Sequence, residues 1–479
     1  MVNDRPFVIK VAVMRRVPLR LLAVLFVLSA ASALPRLDAQ RQTAPSASNH
    51  VVIMSLDGFP GWALDDPRLP VPTLRRLAAA GAVAKGMRPV NPSVTWPNHT
   101  TMVTGVTPAK HGVLFNGVLV RDPGVPPRIE PWRDRKEMVR VPTLYDRVYE
   151  RRMTTAQVDW VAIQNAPTIT WEFRERVEPR SQIARELVKG GAVTAEDIDT
   201  FATQNILWRD HVWTMAAAHI LKQHRPNLLL FHLLNLDSTQ HRYGPRTPAA
   251  MTAMAALDAH VATIVRTLEE TGLAPRTTVF VVSDHGFKLV KRQIRPNAAF
   301  LKAKLLEAEG GKVVRTQAYS VPEGGTAMVY VTVPDPADAI LKRTKDALQG
   351  IEGIEKIVDP AEYPAYGLPN PAENQQMGAL FLIAKDGYAF TAAVGDDVVV
   401  DAAAGSLSAH GYVGTDPDIR ALFIASGRGI AGGVTLDVIN GVDLAPTAAR
   451  LLDVDLPSVD GRVLTEVLSP ELRKGRARR

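Results

Sequence analysis

An α/β fold, with a mostly parallel central sheet covered by helices on both faces, is predicted by three features of the sequence. From about residue 50, short apolar runs alternate with amphipathic stretches of helical period. Three of those runs end in an aspartate: Asp57 after VVIMSL, Asp237 after LLLFHLLNL and Asp284 after TVFVVS. The composition is that of an ordinary globular protein, 46% hydrophobic and 22% charged over 479 residues, and the length allows roughly two to three domains.

The strands expected are Val51–Leu56, Thr155–Trp160, Asn227–Asn235, Thr277–Ser283 and Ala421–Ala425, each a short apolar run between polar or turn-forming residues. The helices expected are Thr73–Ala80, Thr143–Arg151, Leu207–His224, Pro248–Thr271 and Asp443–Leu452, on apolar spacing and on starts marked by threonine or proline. Ligands in such sheets bind beyond the carboxyl ends of the strands. Asp57, Asp237 and Asp284 are therefore expected to converge on one sheet edge despite their separation in sequence. Between about Phe287 and Ala404 the rhythm breaks into shorter strands, such as Thr326–Val333 and Gly378–Ile383, and a proline-rich stretch, Tyr363–Pro371. This region, residues 287–404, is expected to be a smaller inserted α+β domain, with the core made of residues 48–286 and 405–465.

The two ends are basic. Arg5, Lys10, Arg15, Arg16 and Arg20 precede an apolar run, Leu21–Leu28, and small residues ending in Ala-Ser-Ala near Ala33. This pattern is that of an export signal over residues 1–33, with an apolar run too short to span a bilayer comfortably. The expected product is periplasmic or secreted, without a membrane span once the signal is removed. Residues 466–479 form a basic tail. These ends carry the formal net charge of +7 and leave the body close to neutral, so a stable nucleic-acid partner is not expected. The chain has no cysteine, which excludes disulfides and thiolate chemistry and leaves His, Asp, Glu or hydroxyl oxygen to hold any metal.

Candidate ligands stand at the strand ends. In Asp237-Ser-Thr-Gln-His241 one turn or helical loop presents a carboxylate and an imidazole to one ion, a weak signal alone. Asp284-His285-Gly286 is stronger, since a glycine lets the backbone turn sharply around an ion. His410-Gly411 adds an imidazole from a late loop. His50, His211, His219, His224, His232 and His260 read as satisfied core or surface residues, and His99 and His111 as structural hydrogen-bonding groups. In NPSVTWPNHTTMVTG, Pro97 and Gly105 bracket a short helix that places Thr95 at its N-terminus, where free N–H groups and the helix dipole favour an anion. A threonine hydroxyl becomes a competent nucleophile when a divalent cation lowers its pKa. Standing alone, the same threonine would be an ordinary N-cap.

Taken together, VVIMSLDGFP, NPSVTWPNHTTMVTG, KHGVLFNG, LDSTQHRYGP, VVSDHGF, AHGY and VDLAPTAARLLDVDLPSVDGRVL, in that order over about residues 50–465, resemble the ectonucleotide pyrophosphatase/phosphodiesterase family of the alkaline phosphatase superfamily. The resemblance implies an alkaline phosphatase-like fold and two zinc ions. One is held by Asp57, Thr95, Asp284 and His285, the other by Asp237, His241 and His410. It further implies that Asn116 hydrogen-bonds a non-bridging phosphate oxygen and that Trp96 packs on the substrate's leaving or base group.

The implied chemistry is double in-line displacement: Thr95 attacks phosphorus, and water then cleaves the phosphothreonyl intermediate. Two Zn²⁺ balanced by three aspartates and the alkoxide give a nearly neutral site, which suits a singly charged phosphodiester or a nucleotide-type pyrophosphate better than a monoester. The alternatives are a phosphate monoesterase or phosphonate hydrolase of the same superfamily, and a catalytically silent metal-stabilised binding protein.

Overall fold

Strand β1, His50–Leu56, is wholly buried at the centre of an eight-stranded sheet, and its alternate side chains feed two different cores. The computed structural model describes residues 49–405 and 407–473. Residues 1–33, expected to be an export signal, and residues 474–479 lie outside them. The other strands are β2 (Ala82–Ala84), β3 (Thr155–Val158), β4 (Trp171–Phe173), β5 (Leu228–Leu233), β6 (Thr277–Val282), β7 (Phe423–Gly427) and β8 (Val434–Leu436). Their order across the sheet is β8-β2-β7-β6-β1-β5-β3-β4. The run from β6 to β4 is parallel throughout. Only β7 opposes its neighbours, pairing antiparallel with both β6 and β2.

Val52, Met54 and Leu56 of β1 meet helices α1 (Pro72–Ala80), α4 (Gln182–Lys189), α5 (Ile206–Gln223) and α7 (Pro248–Glu270) on one face. Val51 and Ile53 meet α2 (Thr95–Thr104), α3 (Leu144–Glu150) and α8 (Leu444–Leu452) on the other. The period-two alternation of a strand thus supplies both layers. Burying each such aliphatic side chain contributes about 1.5–3 kcal/mol. Helix α7 is the one helix among the described residues long and apolar enough to cross a membrane. Its Met254, Leu257, Val261 and Ile264 are instead buried against the sheet core.

Residues 287–404 build separate small sheets. The largest orders Ala318–Pro322, Thr326–Val331, Leu380–Ala384 and Ile354–Val358 side by side, all antiparallel. The proline-rich stretch enters a 3-10 helix, Pro360–Tyr366. Most strand ends expected from the sequence run one to two residues long, because Asp159, Trp160, Asn235 and Ser283 have already left the ladder to serve the loops beyond it. At the chain's end, Pro470–Arg473 forms a helical turn whose Arg473 donates to the Leu468 and Glu466 carbonyls.

Candidate active site

Beyond the carboxyl ends of β1, β5 and β6 the chain turns at once into Asp57, helix α6 (Asn235–Tyr243) and Asp284-His285. Because these strands are parallel neighbours, the three aspartates meet at one edge. Helix α6 presents Asp237 and His241 one turn apart on one face, with His241 Nε2 3.4 Å from Asp237 Oδ1. His410 Nε2 lies 3.7 Å from the same oxygen. His285 Nε2 lies 3.4 Å from Asp57 Oδ1 and 3.2 Å from Asp284 Oδ2. Two tight groups of ligand atoms result: Asp57, Asp284 and His285, and Asp237, His285 and His410. His285 borders both, and His241 adjoins the second through Asp237.

The imidazoles are held with one nitrogen already spent. His285 Nδ1 hydrogen-bonds the Gly286 carbonyl at 3.2 Å, His410 Nδ1 the Ser93 carbonyl at 3.1 Å, and His241 bonds the Ser408 backbone. A carbonyl only accepts, so the Nδ1 atoms of His285 and His410 carry the hydrogens and their Nε2 lone pairs face carboxylate oxygens. Burial, with His241 and His285 nearby, holds His410 well below the usual imidazole range; burial likewise brings His285 down to about 4. Burial and the charges of Asp284 and Asp237 push the Asp57 carboxyl up. Asp57 Oδ1, Asp237 Oδ1, Asp284 Oδ2 and His285 Nε2 are buried without any hydrogen-bond partner. Lone pairs aimed at lone pairs in a buried site are costly unless cations lie between them, so this donor set fits divalent metal ions.

Thr95 is the first residue of α2, and the residue before it, Val94, makes no side-chain cap. The ordinary N-cap role is therefore not the one Thr95 plays. Its Oγ1 lies 3.5 Å from Asp57 Oδ2. His99, one turn on, bonds the Thr95 carbonyl at 2.8 Å and is kept neutral by burial, with its pKa down to about 3. The helix start offers fewer free donors than the sequence implied. Pro97 has no N–H, and the Trp96 N–H donates to Asn116 Oδ1 at 2.9 Å. With its oxygen engaged in this way, exposed Asn116 has its amide NH₂ left as a donor. Trp96 itself is only 5% exposed and meets Trp132 edge-on at 5.8 Å. The Arg176 guanidinium lies 4.8 Å from the Trp132 ring centre.

Gly286 serves the site differently from the expectation. It has no left-handed backbone; a Cβ there would lie 2.3 Å from the Asp418 carbonyl oxygen, so close approach excludes any side chain. At Gly411 both demands hold, with φ +76° and a Cβ 1.5 Å from the Glu323 carbonyl oxygen.

Residues that sequence reading passed over complete the site. His232 is buried as expected, but its partner is Asp57 itself, at 3.1 Å, with Asp159 on its other nitrogen. The signal was a lone imidazole inside the apolar run LLLFHLL. Asp210 Oδ1 and Oδ2 accept the Leu234 and Asn235 N–H groups at 2.9 and 3.1 Å, capping α6; nothing local in the sequence marked it. His219 and His224 are satisfied as expected, both hydrogen-bonded to Glu186 and apart from this site. The Arg242 guanidinium lies over the Tyr243 ring at 5.3 Å from its centre.

Residues 51–413 match the family model described as type I phosphodiesterase/nucleotide pyrophosphatase. Human ectonucleotide pyrophosphatase/phosphodiesterase family member 7 is 22% identical over 420 residues, covering 88% of this chain and 83% of that protein. Human family member 1 is 22% identical over 442 residues, but the chain spans only 41% of its length. Murine ectonucleotide pyrophosphatase/phosphodiesterase 5 superposes with a TM-score of 0.67 at 17% identity, covering 88% of this chain and 100% of that one. An inactive variant of the same murine protein, solved in complex with AMP, superposes equally well.

Proposed function

The chain belongs to the type I phosphodiesterase/nucleotide pyrophosphatase family of the alkaline phosphatase superfamily and is a phosphodiester hydrolase, and from that premise we propose that it cleaves nucleotide-type phosphodiester or pyrophosphate bonds through a phosphothreonyl intermediate on Thr95, with two zinc ions. The observation that supports this reading most is the set of buried carboxylate and imidazole lone pairs facing one another without partners, beside the Thr95 hydroxyl. Asp57, Thr95, Asp284 and His285 would hold one ion, and Asp237, His241 and His410 the other. Mixed imidazole and carboxylate ligands suit zinc. When bound, the two ions would acidify the Thr95 hydroxyl and offset charge on the entering and leaving oxygens.

Thr95 Oγ then forms its bond to phosphorus in line with the departing oxygen. Water cleaves the phosphothreonyl ester and restores the hydroxyl. Asn116, fixed by the Trp96 N–H, directs its amide donors to a non-bridging oxygen. Trp96 walls the pocket for the leaving or base group, and Trp132 with Arg176 extends that wall. Preference for a singly charged diester over a monoester is supported by one cation already spent close to the site's Asp284-His285 pair in sequence. Lys288, just past Gly286, is engaged by Asp386 and Asp416 at 2.7 and 2.6 Å. The basic and apolar start of the chain, and relatives named as ectoenzymes, support action in the periplasm or outside the cell. Residues 287–404 are proposed to be an inserted unit that shapes substrate choice.

The test is steady-state kinetics on a nitrophenyl phosphodiester and the matching monoester, with metal analysis of the same preparation. A higher kcat/KM on the diester and two zinc ions per chain are expected. A monoester preference would overturn the substrate reading. Thr95→Ala should abolish turnover while most of the metal stays bound, and undiminished activity would reject the nucleophile.

A further inference from the structure

A second convergence of metal-binding side chains lies at the opposite edge of the sheet. Glu186 on α4 places Oε2 2.8 Å from His219 Nε2 and 2.7 Å from His224 Nε2, so two imidazoles from the end of α5 share one carboxylate oxygen. The three ligand atoms form one compact group. His224 caps α5, follows it by a single residue and stacks on Trp171 at 4.7 Å and 25°, which fixes its ring plane. Gln182 Nε2 bonds the other Glu186 oxygen at 2.8 Å and fixes the carboxylate. His224 comes just before β5, and Trp171 opens β4, so the cluster sits at the amino ends of these strands. The six residues of β5 separate it from Asp237 by about 20 Å.

We propose that Glu186, His219 and His224 form a peripheral binding site for one divalent transition ion, with water completing its coordination. The three ligand atoms lie within 4.8 Å of one another; tetrahedral metal bonds of about 2.0–2.1 Å put ligands about 3.3 Å apart, so an ion that replaces the shared imidazole hydrogens needs each N···O separation to open by only about half an ångström. Two imidazoles and one carboxylate suit zinc or nickel rather than calcium or magnesium. The C-terminal end of α5 adds the negative pole of its dipole. A depression lined by Glu186, Lys189, Gly190, His219, Gln223 and His224 opens to solvent and leaves room for water ligands. An ion there ties α4 to the end of α5, joining two helices that contact the same sheet face.

The test is calorimetric titration of Zn²⁺ into the full chain with its catalytic ligands intact, compared with His219→Ala and Glu186→Gln. One equivalent more is expected in the wild type than in either variant, and the variants should keep wild-type diesterase activity, which also shows that they fold. Asp237→Asn, altered at the other centre, should retain the additional equivalent. Equal stoichiometry in the wild type and both variants would overturn the proposal and leave the cluster as an ion pair only. Crystals soaked in Zn²⁺ provide a second readout: an anomalous peak between the two Nε2 atoms supports the site, and its absence at an ion concentration that fills the catalytic centre contradicts it.

Discussion

His232 bridges Asp57 and Asp159: its Nε2 lies 3.1 Å from Asp57 Oδ2, and its Nδ1 lies 3.1 Å from the Asp159 carbonyl oxygen and 3.2 Å from the Asp159 carboxylate. All three side chains are buried. The carbonyl requires a hydrogen on Nδ1, and the Asp57 carboxylate requires one on Nε2. Burial works against the resulting imidazolium, yet Asp159 and Asp57 raise its pKa well above the ordinary value. With Oδ2 occupied in this way, Asp57 offers Oδ1 to a metal.

His232→Ala should therefore weaken metal binding at the Asp57 centre by about 10- to 100-fold, the usual cost of losing a group that orients a ligand. Competition with a chelator measures it, and kcat/KM should recover as added Zn²⁺ refills the site. Unchanged affinity would show that Asp57 needs no such support.

Asp210 holds α6 in place from its N-terminal end, through the Leu234 and Asn235 N–H groups. Asp210→Ala leaves a buried donor (Asn235) and a half-buried one (Leu234) unpaired, at up to about 1–3 kcal/mol each. A fall in urea midpoint, with looser metal binding by Asp237 and His241, is expected. Retention of both properties would contradict the capping role.

The same carboxyl predicts a pH dependence. Burial raises Asp210 from 3.8 to about 7. Between those values the unfolded chain has released the proton and the folded chain has not, so the contribution of Asp210 to stability is full below about pH 4 and declines as pH rises to about 7. The stability of wild type relative to Asp210→Asn should fall as pH rises over that window. A constant difference in melting temperature from pH 4 to 7 would refute it.

Gly411→Ala asks for a Cβ 1.5 Å from the Glu323 carbonyl oxygen on a backbone with φ +76°. Relief requires moving the loop that carries His410. A loss on the order of 3 kcal/mol and of one metal equivalent is expected from denaturation and metal analysis. Wild-type values in both would show that the loop has slack.

The sheet and the converging aspartates were legible in the sequence because strand, carboxylate and helix follow one another directly, as in VVIMSL-Asp57 and TVFVVS-Asp284. Asp237 and His241 were legible because one helical turn links them. The support around them was not. Asp210 and Asp159 act on residues 24 and 73 positions away, and no local pattern records such contacts. Gly286 was recognised for the wrong reason, since its need is for space beside Asp418 and not for a special φ. The antiparallel course of β7 was also hidden, because a short buried strand reads alike in either direction.

The most direct test of the central claim is the stereochemical course at phosphorus, followed with a chiral phosphorothioate diester hydrolysed in isotopically labelled water. Two successive in-line displacements, the first by Thr95 and the second by water, predict net retention of configuration. Net inversion would mean that water attacks the substrate directly, and would contradict a phosphothreonyl intermediate.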